Sequence, residues 1–179
     1  MKFFEYVERH GETLIRAQGE HVFHQGEGDR NVYLIQQGVL KAYYLSEEGK
    51  ETVKSFIGEG NVIGNLTAAH TECENTFGLV ALSECVIRRF SFRRLYEASK
   101  SDVELSNSLM DILLAFAIKK ERRERELLCL SAQERYEKLL EESSDLINRI
   151  TQNDIAKYLG ITPVALSRIK RRVCEKEAQ

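Results

Sequence analysis

Residues 150–172, ITQNDIAKYLGITPVALSRIKRR, predict two short helices joined by a tight turn. Thr151 is placed to cap the first helix, and Asp154 three residues later completes a capping box. Gly160 can end this helix because glycine adopts the left-handed backbone conformation without a steric penalty.

The second predicted helix begins with Thr162 as its cap and Pro163 at its first position, where a missing N–H has no cost. Its inward stripe comprises Leu166, Ile169 and Val173. The outer side is basic, since residues 149–172 contain six basic side chains and one acidic side chain. Such a helix, braced by its neighbour, is typical of a reader of the DNA major groove. The alternative is an ordinary helical hairpin with a solvated basic end.

The composition indicates a globular protein with room for one large or two small domains. The chain has 179 residues, 42% of them hydrophobic, and a net charge of −2. Its longest apolar run, residues 112–118, is too short to cross a bilayer, and acidic residues near the N-terminus argue against a signal peptide. We therefore expect a cytoplasmic protein without a membrane partner.

The four cysteines are scattered and form no CxxC pair, which favours free thiols over disulfides or zinc ligands. They are Cys73, Cys85, Cys129 and Cys174.

The N-terminal half predicts an antiparallel β-roll preceded by a short helix. Residues 1–10 form an amphipathic pattern with Phe3, Phe4 and Val7 on one side. From residue 12 to residue 90, short runs rich in β-branched and aromatic residues alternate with glycines. Within runs such as VYLIQ, alternate residues can point inward. Residues 46–51 predict a hairpin tip, with Gly49 at the position that needs a positive φ.

A long helix is predicted from about Asp102 to Leu130. Its apolar positions recur at three- and four-residue spacing, at Leu105, Leu109, Ile112, Leu113 and Phe116. A helix of this length cannot bury such a stripe on itself. One side can pack on the chain's own roll, and the remainder of residues 102–130 suits a second copy of the helix in a homodimer. A second capping box, formed by Ser131 and Glu134, starts the next helix.

The predicted fold class is therefore α+β. We expect a β-roll sensor domain at residues 1–100, a long dimerisation helix at 101–130, and a helix-turn-helix DNA-binding domain at 131–179. Only residues 173–179 remain after Arg172, which is too short for a β-hairpin wing, so we expect little or no wing.

This order of parts resembles the CRP/FNR family of bacterial transcription regulators. The resemblance is carried by FHQGEGDRNVYLIQQGVLKAYYL, FIGEGNVIGNL, LSAQERYEKLL and TQNDIAKYLGITPVALSRI, which together extend over most of the chain. It implies a homodimer with a cyclic-nucleotide-binding-like roll and a recognition helix in the major groove. The implied partners are double-stranded DNA, a second copy of the chain, RNA polymerase and an unknown small-molecule effector, with no enzymatic activity and no cofactor.

The resemblance implies a role for Arg168 in reading bases. Of three base-reading positions in the catabolite-regulator branch, two align with Pro163 and Val164, and the third keeps its arginine as Arg168. We expect Arg168 to contact guanine and Val164 to touch a thymine methyl group. Six further candidates would contact phosphates and fix the register; these are Thr151, Gln152, Thr162, Ser167, Lys170 and Arg171. Arg172 completes the set of expected DNA-binding residues.

The sensor side departs from the cyclic-AMP binders of the family. Where those proteins have Gly-Glu-Leu for the ribose, this chain has Gly64, Asn65 and Leu66. Where they have an arginine and a hydroxyl residue for the phosphate, it has Asn75 and Thr76. A charge-assisted phosphate contact is thereby lost, so we expect no tight binding of cyclic AMP. Lys120 and Arg123 of the long helix are the candidates for coupling an effector to the dimer.

Three other functions fit the sequence less well. An iron–sulfur cluster needs closely spaced cysteines, and none precedes Cys73. Haem would need an axial ligand such as His70 or Cys73. A cupin-like metal enzyme needs clustered histidines, whereas His21 and His24 would face opposite sides of a regular strand, so we expect no metal. A vestigial pocket, or a small-molecule-binding or protein-interaction module without DNA function, remains an alternative.

Overall fold

The computed structural model describes residues 1–177, apart from the side chains of residues 144, 176 and 177. The strands are β1 Glu12–Arg16, β2 His21–Phe23, β3 Asn31–Gln37, β4 Leu40–Leu45, β5 Glu51–Ile57, β6 Val62–Gly64, β7 Gly78–Ala81 and β8 Cys85–Ser91. The helices are α1 Phe3–His10, α2 Leu66–Thr71, α3 Phe92–Ser99, α4 Val103–Cys129, α5 Ala132–Ile147, α6 Gln152–Leu159 and α7 Pro163–Glu177. The predicted α+β class, with an N-terminal β-roll and a C-terminal helical part, is confirmed.

Two antiparallel sheets form the roll, in the strand orders β1-β8-β3-β6 and β2-β7-β4-β5. Alternation along β3 is confirmed, but both faces of this strand are buried. Tyr33 and Ile35 point into the core between the sheets, while Val32 and Leu34 pack against the helices outside. This strand reads as a continuous apolar run because α1, α3 and α4 cover its outer face.

The amphipathic helix α1 docks on the roll through Phe3, Tyr6 and Val7, which are buried. The expectation that Phe4 shares this side is wrong, since Phe4 is 53% exposed. A helical step of about 100° turns Phe4 away from Phe3, whereas Tyr6 and Val7 return to the same face.

The hairpin between β4 and β5 forms as predicted, with Gly49 at φ 77°. The prediction that His21 and His24 face opposite sides of a strand is wrong, because their rings stack with the centroids 4.0 Å apart. Regular alternation fails here since β2 ends at Phe23 and its pairing with β7 is irregular. Among the side chains that the structure describes, no group of three or more from His, Cys, Asp or Glu is arranged to hold a metal ion.

Helix α4 is 27 residues long and begins where predicted, with the Asp102 carboxylate accepting the Leu105 N–H at 3.0 Å. Leu105 and Leu109 are buried against α1 and the roll. Another side of α4 exposes large apolar residues that we call the α4 stripe: Val103, Met110, Leu114, Ile118 and Leu128. None of the helices in the described part of the chain is long and apolar enough to span a membrane.

The predicted capping box of Ser131 and Glu134 starts α5. Helices α6 and α7 form the predicted helix-turn-helix, with Gly160 at φ 71° ending α6 and the Thr162 hydroxyl accepting the Ala165 N–H at 3.2 Å. Their shared core contains Ile155, Ala156, Leu159, Leu166, Ile169 and Val173. Helix α7 is still helical at residue 177, the last one described.

Candidate functional site

The predicted DNA-contacting residues lie together on the outer side of α7 and at the start of α6. Nine of the ten are exposed, namely Thr151, Gln152, Thr162, Pro163, Val164, Ser167, Arg168, Arg171 and Arg172. The tenth, Lys170, is half-buried and donates to Gln152 Oε1 at 3.0 Å. This contact ties the middle of α7 to the first turn of α6.

The basic side chains of this surface are largely free of acidic partners. Among the described side chains, Arg168 and Arg172 have no carboxylate within ion-pair distance, and Arg171 Nε lies 3.9 Å from Glu175. A surface of unpaired cations attracts polyanions. Its large apolar side chain is Val164, which is 63% exposed.

Like Gln152, Thr162 and Lys170, the predicted phosphate contact Thr151 makes hydrogen bonds within the protein. The Thr151 hydroxyl accepts the Asp154 N–H at 3.1 Å and donates to Asp154 Oδ2 at 2.7 Å. The predicted capping box is therefore only half formed, because the Asp154 carboxylate turns to this hydroxyl and to Lys41 instead of to the Thr151 N–H.

Helix α6 docks on the roll through a buried ion pair that joins residues 113 apart in sequence. Lys41 Nζ on β4 donates to Asp154 Oδ1 at 2.8 Å and to Glu51 Oε1 at 3.0 Å. Lys157 Nζ reaches the same Glu51 oxygen at 3.1 Å. Burial opposes the charge on Lys41, but these hydrogen bonds outweigh it and raise the pKa of Lys41. Burial likewise opposes the charge on Asp154, yet Lys41 and Thr151 hold the pKa of this carboxyl below its usual value.

Two further contacts complete this docking interface. Arg149 makes a bidentate pair with the Glu59 carboxylate at 3.0 and 2.9 Å, which lowers the pKa of Glu59 to about 2. The rings of Phe56 and Tyr158 lie 5.3 Å apart between their centroids. Phe56 and its strand neighbour Val53 thus belong to the same apolar cluster as the helix-turn-helix core.

The seven predicted effector-pocket residues separate into two groups. Gly64, Leu66, Lys120 and Arg123 line a cavity of about 300 Å³ between the roll, α4 and α6. Asn65, Asn75 and Thr76 do not line it. The Asn65 amide oxygen accepts the Ala68 N–H at 3.2 Å, and its nitrogen donates to Thr76 Oγ1 at 3.1 Å, so this side chain is engaged at the start of α2.

At the positions that the resemblance assigns to nucleotide anchoring, the structure has two buried, uncharged side chains. Asn65 is 4% exposed and Asn75 is 2% exposed. The side-chain oxygen and nitrogen of Asn75 are both buried without a hydrogen-bond partner in the described residues. Neither side chain carries the positive charge that a cyclic phosphate needs.

Sequence reasoning missed Lys54 and Lys119, which line the same cavity as Lys120. The signal for Lys54 was its position in β5 between the apolar residues Val53 and Phe56. Arg123, which was predicted, donates to the Tyr158 carbonyl oxygen and lies over the Tyr158 ring at 3.7 Å. It therefore joins α4 to the helix-turn-helix.

Known proteins similar to this chain are transcription regulators. Residues 16–102 match the cyclic nucleotide-binding domain family. Electron transport regulator A of Shewanella oneidensis is 27% identical over 169 residues, covering 87% of this chain and 66% of that protein. Transcriptional activator protein Anr of Pseudomonas protegens is 28% identical over 190 residues, covering 99% of this chain and 75% of that protein.

The fold is shared with solved regulators. The structure of FixK2 from Bradyrhizobium japonicum superposes with a TM-score of 0.79 at 20% identity, covering 93% of this chain and 86% of that one. Roll, long helix and helix-turn-helix thus occur here in the order that these similar proteins share. The chain thus contains a cyclic nucleotide-binding domain, and over most of its length it resembles transcription regulators of the CRP/FNR family in sequence and in fold.

Proposed function

We propose that this protein is a homodimeric, sequence-specific DNA-binding transcription regulator that acts in the cytoplasm and has no catalytic activity. The observation that carries the proposal is the outer face of α7, where Arg168, Arg171 and Arg172 are exposed on a helix whose opposite side is packed. In this proposal Arg168 reads a guanine, and the other predicted residues hold the phosphates. The cupin-like enzyme has no support from the similar proteins, which are regulators.

Dimerisation is proposed to use the α4 stripe. Five large apolar side chains on one helix face, each at least 57% exposed, form a larger apolar patch than isolated surface residues would. Their spacing suits a second copy of the same helix packed alongside. The dimer places two α7 helices on one duplex, with half-sites about 34 Å apart.

Residues 1–100 are proposed to sense an effector, residues 101–130 to pair the subunits, and residues 131–179 to bind DNA. Cyclic AMP is not expected to be the effector, because Asn65 is engaged at α2 and Asn75 is uncharged. RNA polymerase is a further proposed partner, as the family resemblance implies.

Fluorescence anisotropy with labelled genomic fragments from the source organism, measured over a series of salt concentrations, tests the proposal. Binding should be saturable and stronger for a subset of fragments, and log K should fall linearly with log salt as phosphate counterions are released. Equal affinity for every fragment, or no binding at low salt, would refute sequence-specific recognition.

A further inference from the structure

The cavity beneath α4 has the size and the walls of a small-molecule site. Its volume of about 300 Å³ lies at the lower end of the range for ligand pockets. Apolar side chains form much of its wall, including Leu66, Ile112, Leu113 and Phe116. A ligand would therefore bury a hydrocarbon or aromatic body here.

Three lysines from two elements meet at this cavity. Lys54 comes from β5, with its ammonium group 4.0 Å above the Phe77 ring, and Lys119 and Lys120 come from α4. Among the described side chains, no carboxylate lies within ion-pair distance of any of the three. Two carboxylates also line the cavity, but they lie beside arginines. Arg122 pairs with Glu142 at 3.1 Å, and Arg123 lies 4.0 Å from Glu126 and donates to the Tyr158 carbonyl oxygen.

This arrangement of lysines has an electrostatic cost. Burial, followed by the charges of Lys120 and Lys119, lowers the pKa of Lys54 to about 7. Burial also lowers the pKa of Lys119. Like charges that converge in a partly desolvated space destabilise one another, and an anion among them would remove that cost.

We propose that this cavity binds a small organic anion, with an apolar body against α4 and one carboxylate or phosphate group held by Lys54, Lys119 and Lys120. The anchor lies on β5 and α4 and not at Asn65, Asn75 and Thr76. An aromatic or aliphatic acid fits both the charge and the walls.

The position of the cavity links the ligand to the helix-turn-helix. Tyr158 of α6 and Arg123 of α4 both line the cavity, and both belong to the contacts that join α4 to α6. An occupant would contact the roll, α4 and α6 together, so it would bias how α6 docks. This regulatory consequence rests on the proposed function, whereas the binding itself does not.

Calorimetric titration of the full-length protein with benzoate, phenyl phosphate and benzyl alcohol tests the site. At least one of the two anions should bind saturably, and the uncharged alcohol should bind much more weakly. The two anions separate a carboxylate site from a phosphate site.

Lys54→Met removes one charge-assisted contact, so it should weaken the binding of the preferred anion by roughly 10- to 100-fold. Lys120→Met should act in the same direction without a risk to folding, because the Lys120 side chain is exposed to solvent at the rim of the cavity.

Lys50→Met is the matched control, because Lys50 is exposed at the hairpin tip. This variant should bind the anion with the same affinity as the unaltered protein. Lysine-side-chain nitrogen NMR adds an independent readout, since saturation with the anion should raise the pKa of Lys54. The proposal is overturned if neither anion binds, if benzyl alcohol binds as well as the anions, or if both lysine variants keep full affinity. Anisotropy with DNA on the same samples keeps a failure of this site distinguishable from a failure of DNA binding.

Discussion

Arg168 and Arg171 occupy neighbouring turns of α7 but should have different effects on DNA binding. Arg168→Ala should remove a bidentate guanine contact, costing about 1–3 kcal/mol of discrimination at one base pair per half-site. Arg171→Ala should weaken binding to all sequences alike, because a phosphate contact carries no sequence information. Anisotropy with an array of single-base operator variants measures both effects.

Arg93→Ala provides the control for these substitutions, since Arg93 is an exposed arginine on α3. It should leave both affinity and preference unchanged. Unaltered base preference in Arg168→Ala would mean that another residue reads the base pair.

Lys54 predicts an unusual dependence of stability on pH. Its pKa of about 7 in the folded protein lies below that of the unfolded chain, so the unfolded state binds more protons above pH 7. The free energy of unfolding should therefore rise with pH from about 7 towards 10, by at most about 1.4 kcal/mol per pH unit for this group. Lys119 contributes with the same sign. Urea unfolding across this range should show a shallower rise in Lys54→Met than in Lys50→Met, and identical slopes would contradict the burial of a charged Lys54.

Local chemistry explains which residues the sequence could identify. Thr162, Gly160 and Gly49 were assigned correctly because caps and turns depend on neighbours within a few residues. Lys41 and Lys54 were missed because their surroundings come from distant parts of the chain. Nothing near Lys41 in sequence indicates that it meets Asp154.

At the scale of single elements, substitutions in α4 test whether the protein dimerises through this helix. Met110→Glu combined with Leu114→Glu places two charges in the α4 stripe, and burying them against a partner would be costly. The unaltered protein should sediment as a dimer and this variant as a monomer with lower DNA affinity. Analytical ultracentrifugation measures the change in mass.

Ile15→Glu is the control for the α4 substitutions, because Ile15 is also a large apolar residue, 64% exposed, but lies on β1. It should remain dimeric. An unaltered protein that sediments as a single subunit, or a double variant that stays dimeric, contradicts pairing through α4.

The periodicity of the sequence predicted the bounds of the helices more reliably than it predicted which of their residues are buried. The long helix was predicted within one residue of its observed bounds, since its caps and its apolar spacing agree. Helix α1 was also correct, yet its inward face was misjudged at Phe4. The facing direction of a short helix depends on what covers it, and this is set by the tertiary fold.

In the whole molecule, the Lys41–Asp154 pair is central to how the helix-turn-helix rests on the roll. The two side chains are 11% and 10% exposed, so Lys41→Met leaves a buried carboxylate without its main partner. Breaking such a pair should lower the free energy of unfolding by about 3–5 kcal/mol. Urea unfolding measures the loss, and Lys50→Met should show none.

Acid should weaken the same interface. The pKa values of Asp154 and Glu51 are held below their usual values in the folded protein. Their contribution is therefore complete above pH of about 4 and is lost as the pH falls through the lowered values. A Lys41→Met protein as stable as the Lys50→Met control would show that this docking contact contributes little.

Selection of bound duplexes from a random DNA library is the most direct test of a paired regulator. The dimer with two outward α7 helices predicts a two-fold symmetric motif whose half-sites lie about one helical turn apart. It also predicts that Arg168→Ala erases the preference at one position in each half-site. Recovery of a single unpaired half-site, or of no enriched sequence, would contradict the paired recognition helices on which the proposed function depends.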